Sequence, residues 1–263
     1  MIGFEQVTAR YPGAIASALT DVSLDAAAGR VTAVVGPNGS GKTTLVRALL
    51  GRVPLAGGRV LIDGVDLTRL ARREIARRVA VVVQREEPIF PMRVREYVAL
   101  GQYPHLGAWA AAAHGEPGAA RAATIAGIGQ LLERMTDTLS GGEWQRARIA
   151  RALVQGAAGL VMDEPTSFLD VGHEMETFEL LEQLAKQGRA VLVVSHQLNL
   201  VARFAQHVLL LSEGRVVAAG APDQVMQASI LESVYDYPLV VARDPAVGAP
   251  MLVPLRRPRP FTL

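Results

Sequence analysis

The sequence has no cysteine among its 263 residues. This absence excludes a disulfide framework, a zinc–thiolate site and thiol catalysis, and it favours a reducing compartment. Long apolar runs are also missing, since none approaches the roughly 20 residues that a membrane-spanning helix needs. Residues 1–11 lack the pattern of a signal peptide. The formal net charge is only +2, so the composition gives no reason to expect a nucleic-acid partner.

Lysine is scarce as well. Among the 27 Lys and Arg residues only Lys42 and Lys186 are lysines. In a chain that uses arginine for nearly all of its positive charge, a retained lysine indicates a position that needs a compact ammonium group. The hydrophobic fraction of 50% predicts a globular protein with a sizeable core.

Apolar runs alternate with helical periodicity, which predicts an α/β fold with a mostly parallel sheet covered by helices. The strand candidates are the short apolar runs 31–35, 59–62, 79–83, 160–162, 190–194, 208–211 and 215–219. Helices are expected over residues 43–50, 144–154 and 173–186. Residues 86–138 break the alternation and are predicted to be a helical insertion, and prolines after residue 238 predict an extended ending.

A glycine-rich motif follows the first of these strands, with the sequence Gly36-Pro37-Asn38-Gly39-Ser40-Gly41-Lys42-Thr43. It matches G-x-x-x-x-G-K-[ST], whose glycines let backbone N–H groups surround phosphate oxygens at a helix N-terminus. Lys42 is expected to contact the β- and γ-phosphates, and the Thr43 hydroxyl to hold Mg²⁺. The alternative is a glycine-rich turn that happens to contain Lys-Thr. The motif predicts a bound nucleotide but no particular reaction.

Two other predicted strands end in chemically active residues. Asp163 and Glu164 follow the run 160–162, and His196 follows the run 190–194. Because open α/β sheets bind ligands at the carboxyl ends of their strands, Asp163 is expected to bind Mg²⁺ and Glu164 to polarise a water molecule. His196 is expected to sense the γ-phosphate. The alternatives are a helix cap for the acidic pair and a structural or solvated histidine.

A second anion-binding feature precedes the helix predicted over residues 144–154. Ser140 is a candidate N-cap, and Gly141 and Gly142 leave the helix N-terminus open to a phosphate, with Glu143 next in the chain. No second nucleotide loop accompanies this feature. An ordinary capped helix is the alternative.

Taken together, these signals resemble the ATP-binding cassette of ABC transporters over about residues 1–220. The ordered set is 36–44, Gln84, 139–143, 163–164, 167–170 and His196. The resemblance implies a P-loop NTPase core of ABC type with an antiparallel β subdomain and an inserted α-helical subdomain. It places the ATPase domain at 1–237, with the nucleotide-binding core at about 1–85 and 156–220 and the helical subdomain at about 86–155. Residues 238–263 remain as a proline-rich tail.

The same resemblance implies ATP hydrolysis with Mg²⁺ in a head-to-tail dimer, in which residues 140–143 of one chain close on ATP held by residues 36–44 of the other. Catalysis would rest on Lys42, Glu164 and His196. Tyr11 would stack on adenine, Thr44 would complete the phosphate loop, Gln84 would join Thr43 and Asp163 at the metal, and Asp170 would connect the two sites.

The substrate class is suggested by residues 94–98 and 101–107, which resemble importers of iron(III)-siderophores, haem and cobalamin. Gln102 departs from the arginine common there, and Gly159 replaces a bulky apolar residue, which should weaken the start of its strand. The resemblance implies transmembrane permease partners, an indirect partner in a substrate-binding protein, no nucleic acid, and a peripheral place at the cytoplasmic face of the membrane.

Several alternatives stay open at this point. An ABC ATPase for another substrate or for export, or a soluble ABC ATPase outside transport, would carry the same motifs. A P-loop kinase or GTPase is disfavoured by residues 139–143 and by the absence of an Asn-Lys-x-Asp motif. Two groups of arginines, 69–78 and 256–259, are expected to be solvated faces.

Overall fold

The computed structural model describes residues 1–84, 86–87, 90–106, 116–167 and 169–256, with the backbone alone for residues 116 and 117. Some predictions fall outside these residues: Gly107, the start of the poorly patterned stretch 108–129, and Arg257 and Arg259 of the tail. No helix among the described residues is long and apolar enough to cross a membrane.

The strands form three sheets within the described residues. In chain order they are β1 (Ile2–Ala9), β2 (Leu19–Ala26), β3 (Val31–Val35), β4 (Leu55–Ile62), β5 (Val65–Asp66), β6 (Val79–Val82), β7 (Gly159–Asp163), β8 (Ala190–Val194), β9 (His207–Ser212), β10 (Arg215–Gly220), β11 (Leu239–Arg243) and β12 (Pro250–Pro254). The orders are β2-β1-β4-β5, β10-β9-β3-β8-β7-β6 and β11-β12.

The six-stranded sheet is parallel from β9 to β6, and only β10 runs antiparallel, as a hairpin with β9. Every residue of β3, β7 and β8 is buried, since helices cover one face and the antiparallel sheet covers the other. This double coverage explains why the three strands read as continuous apolar runs. The predicted α/β fold with an antiparallel β subdomain is confirmed.

The helices of the described residues are α1 (Lys42–Leu49), α2 (Arg72–Arg78), α3 (Val94–Ala99), α4 (Glu116–Ile125), α5 (Gly141–Val154), α6 (Val171–Lys186), α7 (Leu198–Phe204), α8 (Pro222–Val225) and α9 (Ala228–Tyr235). Helices α3, α4 and α5 pack on one another and form the helical insertion. The described part of that insertion has no named strand and only one isolated bridge, between Arg93 and Met135.

The expectation that Gly159 weakens its strand is wrong. Strand β7 begins at Gly159, which pairs with Val79 on one side and Ala190 on the other. A Cβ at this position would lie 3.2 Å from both Ile2 Cδ1 and Val79 Cγ2. The glycine therefore lets the antiparallel sheet approach the parallel one closely, a requirement set by residues remote in sequence.

Arg72, Arg73 and Arg77 of α2 are exposed, as the sequence predicts, and two of them also hold a neighbouring segment. Arg73 Nε and Arg77 Nε each donate to the carbonyl oxygen of Pro104 at 2.8 Å. His105 Nε2 lies 2.8 Å from the carbonyl oxygen of Gln155 at the end of α5. The segment around Pro104 is therefore held from two sides.

A partly buried charge cluster joins the loop after β6 to the helical insertion. The Glu86 carboxylate accepts from Arg151 Nη2 at 2.8 Å and from the Tyr97 hydroxyl at 3.0 Å, and Arg148 Nε lies 3.6 Å away. Trp144 Nε1 donates to the Glu86 carbonyl oxygen at 2.7 Å. Burial alone would raise the pKa of Glu86, but the hydrogen bond and charge of Arg151 bring it below its usual value. The pairing therefore stabilises the ionised carboxylate.

We predict that Glu86→Gln lowers the free energy of unfolding by about 1–3 kcal/mol at pH 7, since it leaves two arginines without their carboxylate. The depressed pKa makes this stabilisation fully present above the unfolded-state pKa of about 4.3 and lost as pH falls through the folded-state value. Urea unfolding at pH 7 and below pH 4 measures the difference.

The matched control is Glu133→Gln. Glu133 pairs with Arg93 and Arg95 at 2.6 and 2.7 Å, but its side chain is 61% exposed, against 23% for Glu86. Exposed pairs contribute about 0–1 kcal/mol, so this variant is expected to change stability little. Equal effects of the two substitutions would contradict the structural role of Glu86.

Candidate functional site

The loop at residues 36–41 joins β3 to α1. It needs glycine because of its positive φ angles and because there is no space for a Cβ atom. Gly36 and Gly41 have φ values of 151° and 104°. A Cβ on Gly36 would lie 2.1 Å from the Leu211 carbonyl oxygen, and one on Gly41 would lie 2.9 Å from that of Ala18. Ser40 Oγ is buried here with no hydrogen-bond partner among the described residues. The loop is therefore a tight backbone cradle with an unused hydroxyl.

Lys42 is held inside this loop. Its Nζ donates to the carbonyl oxygens of Gly36 at 2.8 Å and Pro37 at 3.0 Å. Burial lowers the pKa of Lys42, while the charges of Glu164 and Asp163 act in the opposite direction. A compact ammonium group thus lies where the glycine loop and the acidic strand end meet.

Asp163 ends β7 and is only 4% exposed. Its Oδ1 is buried without a hydrogen-bond partner among the described residues, and burial followed by the charge of Glu164 raises the pKa of Asp163 to about 6. A buried carboxylate oxygen without a donor suits a cation. The residues predicted to join it, Thr43 and Gln84, are exposed, and a hydroxyl and an amide oxygen are hard ligands of the kind that Mg²⁺ accepts.

Glu164 and His196 come together at the ends of β7 and β8. His196 Nδ1 lies 2.5 Å from Oε2 of Glu164, whose side chain is 10% exposed. Glu164 has a φ of 52°, a left-handed conformation that costs a non-glycine residue about 1–3 kcal/mol. Its N–H donates to the Val194 carbonyl oxygen at 2.8 Å, which holds the strained residue to the neighbouring strand. The carboxylate is therefore fixed at the sheet edge.

Tyr11 contacts helix α1 one turn beyond the phosphate loop. Its hydroxyl lies 3.3 Å from Thr44 Oγ1 and accepts from Arg47 Nη1 at 2.9 Å. The Arg47 guanidinium is 5.8 Å from the centre of the Tyr11 ring. The stacking of Tyr11 on adenine stays a prediction. Arg47 was missed by the sequence analysis because its partner lies 36 residues away.

Ser140 caps α5 through a capping box. Its Oγ accepts from the Glu143 N–H at 3.3 Å, and the Glu143 carboxylate accepts from the Ser140 N–H at 2.8 Å. Arg134 Nη1 donates to Glu143 at 3.1 Å. The backbone hydrogen bond from Ser140 is the main cause of the lowered pKa of Glu143. The capped helix that the sequence analysis gave as the alternative is therefore present. Gly141 and Gly142, which follow the cap, bring no side chain to the helix N-terminus.

Gly142 and Asp170 are linked by His173, a residue of the run 170–173 that also resembles the metal-chelate importers. A Cβ on Gly142 would lie 2.6 Å from His173 Cδ2, so the imidazole lies directly on the glycine. His173 Nδ1 is 2.8 Å from Asp170 Oδ1, which also accepts from the His173 N–H at 2.9 Å. Asp170, predicted to connect two nucleotide sites, is thus joined through His173 to Gly142 of the same chain.

The structure brings the predicted residues into two groups. The first lies at the carboxyl edge of the parallel sheet and contains the phosphate loop, Asp163, Glu164 and His196, with Gln84 following β6 at the same edge. The second contains residues 140–143 and Asp170. Among the described residues, the contacts of this second group run to Arg134 and His173 and not to the phosphate loop.

Comparisons with known proteins agree with this geometry. Residues 19–167 match the family model described as ABC transporter. The chain is 39% identical over 238 residues to the ferric enterobactin transport ATP-binding protein FepC of Escherichia coli (strain K12), covering 89% of this chain and 87% of FepC. It is 40% identical over 241 residues to the hemin import ATP-binding protein HmuV of Nocardia farcinica (strain IFM 10152), covering 90% and 82%.

Among solved structures, an inward-facing metal-chelate type ABC transporter is similar over 97% of this chain and 98% of its own, with a TM-score of 0.85 and 26% identity. The family match spans more than half of the chain, and the relatives are similar along most of their own length. The chain therefore belongs to the ABC transporter family, as its ATP-binding cassette.

Proposed function

We propose that this chain is the ATP-hydrolysing subunit of an importer for a metal chelate of the iron-siderophore, haem or cobalamin class. The contact between Glu164 and His196 beside the phosphate loop carries the catalytic part of the proposal. The names of the relatives, a ferric enterobactin protein and a hemin protein, support the substrate class. In this proposal residues 1–237 form the ATPase, and the hairpin of β11 and β12 that follows packs against it.

In the proposed mechanism the phosphate loop and Lys42 bind the β- and γ-phosphates. Thr43, Gln84 and Asp163 would hold Mg²⁺, which when bound neutralises charge on the phosphates. Glu164 accepts a proton from the attacking water molecule, and His196 holds the Glu164 carboxylate in place while facing the γ-phosphate. The pair at the sheet edge is suited to this because Glu164 is shielded but accessible at the end of its strand.

We further propose that two copies of the chain assemble head to tail. The N-terminus of α5 in one copy would then contact ATP bound by the other copy, with Ser140, Gly141, Gly142 and Glu143 at the phosphates. In this arrangement residues 140–143, which have no phosphate loop beside them in their own chain, contact the phosphates held by the other copy. Asp170 would connect the two sites through its contact with His173.

The membrane permease would dock on the helical insertion, over residues 86–107. Tyr103 is 78% exposed and Leu100 is 52% exposed, and their segment is held firmly through Pro104 by Arg73 and Arg77. A rigid segment with exposed apolar side chains suits a surface that transmits force. The chain would therefore be peripheral at the cytoplasmic face of the membrane, a binding protein would deliver the chelate to the permease, and no nucleic acid is involved.

The first test is Glu164→Gln, which keeps the shape of the side chain but removes the proton acceptor. We expect this variant to bind ATP, to accumulate as a dimer and to hydrolyse ATP at least about 100-fold more slowly. Size-exclusion chromatography with ATP and a phosphate-release assay measure the two effects. Glu182→Gln, a change at an exposed i,i+4 pair with Lys186, is the control and should do neither. Rapid hydrolysis by the Glu164 variant would remove Glu164 from this role.

The second test concerns Asp163. Because burial raises its pKa to about 6, the nucleotide-free protein loses stability as pH rises from about 4 to about 6. Asp163→Asn should therefore stabilise the nucleotide-free protein by about 1–3 kcal/mol at pH 7.5, and not below pH 4, while Mg²⁺-dependent hydrolysis is lost. Thermal unfolding at the two pH values measures this, with the exposed Asp223→Asn as control. A lower stability at pH 7.5 would contradict the proposed metal site.

The substrate class is tested with the chain, its permease and its binding protein reconstituted in vesicles. We expect a ferric siderophore, haem or cobalamin to stimulate ATP hydrolysis and to accumulate inside, while maltose does neither. Stimulation by a sugar or an amino acid alone would overturn the substrate class. ATP-dependent movement of a chelate out of the compartment that contains ATP would overturn import.

A further inference from the structure

A segment near the end of the described chain packs against the helix that follows His196. This C-terminal unit, residues 228–254, consists of α9 and the hairpin of β11 and β12. Strand β12 packs against α7, and the buried side chain of Leu239 joins the main core. The unit is therefore part of the fold and touches the element that begins two residues after His196.

Two polar contacts fasten the hairpin to α7. Asn199 Oδ1 accepts from the Leu252 N–H at 2.8 Å, and Asn199 Nδ2 donates to the Leu252 carbonyl oxygen at 3.3 Å. One turn further along α7, Arg203 Nη2 lies 3.8 Å from Oδ2 of Asp244, in the turn between the two strands. Asn199 thus pairs with β12 as a neighbouring strand would, and it does so three residues from His196.

The first residues of α7 connect the contact with the hairpin to the backbone of His196. The Leu198 N–H donates to the His196 carbonyl oxygen at 3.1 Å, and Gln197 Nε2 donates to Glu174 Oε1 at 2.6 Å. The His196 side chain itself is more than half exposed and has Glu164 as its contact. Its position therefore depends on the backbone that carries it.

The helix of the unit is joined to the core by Tyr235, the last residue of α9. Its side chain packs against the main core, and its hydroxyl is buried with no hydrogen-bond partner among the described residues. Burial is the main cause that raises the pKa of Tyr235 to about 12. The unit is therefore anchored twice, by α9 in the core and by its hairpin on α7.

We propose that the C-terminal unit is a positioning element for ATP hydrolysis, in which Asn199 and Asp244 hold α7 so that His196 keeps its contact with Glu164. Asn199 is a positioning residue and not a catalytic one, since it contacts only backbone of the hairpin. The inference rests on the proposed roles of Glu164 and His196 and adds to them a part of the chain that the family model, which ends at residue 167, does not reach.

The experiment compares Asn199→Ala and Asp244→Asn with the unaltered full chain. Both loosen the hairpin from α7 without touching the phosphate loop. We expect kcat to fall about tenfold for Asn199→Ala, as a small misplacement of a catalytic group produces. The KM for ATP should stay within about twofold, because the nucleotide contacts are unchanged. Asp244→Asn should reduce kcat in the same direction, and Asn199→Asp, which keeps the acceptor for the Leu252 N–H, should be intermediate.

Gln206→Ala is the matched control. Gln206 Oε1 accepts from the Val31 N–H at 2.8 Å, and its Nε2 donates to the Phe204 carbonyl oxygen at 2.9 Å, so it fastens the other end of α7 with two hydrogen bonds of the same kind. It should lower the thermal unfolding temperature as Asn199→Ala does, yet leave kcat within about twofold. A kcat equally reduced by the control would show that any loosening of α7 has this effect and would overturn the proposal.

A double variant separates this proposal from the proposed function. If Asn199 acts through His196, Asn199→Ala adds no further loss of kcat to His196→Ala. Independent, multiplied losses would overturn the positioning role while leaving His196 in place. Full activity of His196→Ala would instead refute the role of His196 itself, and with it the route by which the unit acts. Unchanged kcat in both Asn199→Ala and Asp244→Asn would reduce the unit to a stabilising part of the fold.

Discussion

Parallel pairing of β3, β8, β7 and β6 is the constraint on which the site depends. The register pairs Val34 with Val194 and Val194 with Asp163, so the carboxyl ends of neighbouring strands are level. Each strand can then be largely apolar, while its charged residues begin at the point where it leaves the sheet. The phosphate loop, the acidic pair and His196 meet at one edge for this reason, although the phosphate loop and the acidic pair are separated by more than 100 residues along the chain.

The charged groups at that edge lower the stability of the nucleotide-free protein. Lys42 and Asp163 are both buried. Burial lowers the pKa of Lys42 and raises that of Asp163, so it favours the neutral form of each side chain. Glu164 in addition keeps a left-handed backbone conformation. Such costs are tolerable because the surrounding strands are fully buried and over-determine the loops that follow them. Sites of this kind trade stability for a preorganised set of charges, and in the proposed function a bound nucleotide and its cation would compensate them.

Contacts between remote segments then connect this edge to the rest of the molecule. Glu86 joins the loop after β6 to α5 through two arginines, and Asn199 joins the helix after β8 to the C-terminal hairpin. His173 joins Asp170 to the signature glycine Gly142. In each case one side chain joins two separate elements of the fold. The helical insertion and the C-terminal hairpin are therefore fastened to segments that carry proposed site residues.

The sequence by itself determined the features that depend on near neighbours. The strand of residues 31–35, the glycine loop with its lysine, and the acids after β7 are local patterns, and their shared sheet edge follows from parallel topology alone. Only the tertiary structure decided which remote residue covers which surface. Residue patterns gave no named prediction for β1 and β2, whose pairing is interrupted by register shifts, and they misjudged Gly159, whose neighbours are distant in sequence. Periodicity records that a side chain is buried, but the identity of its partner is set by the packing of the whole chain.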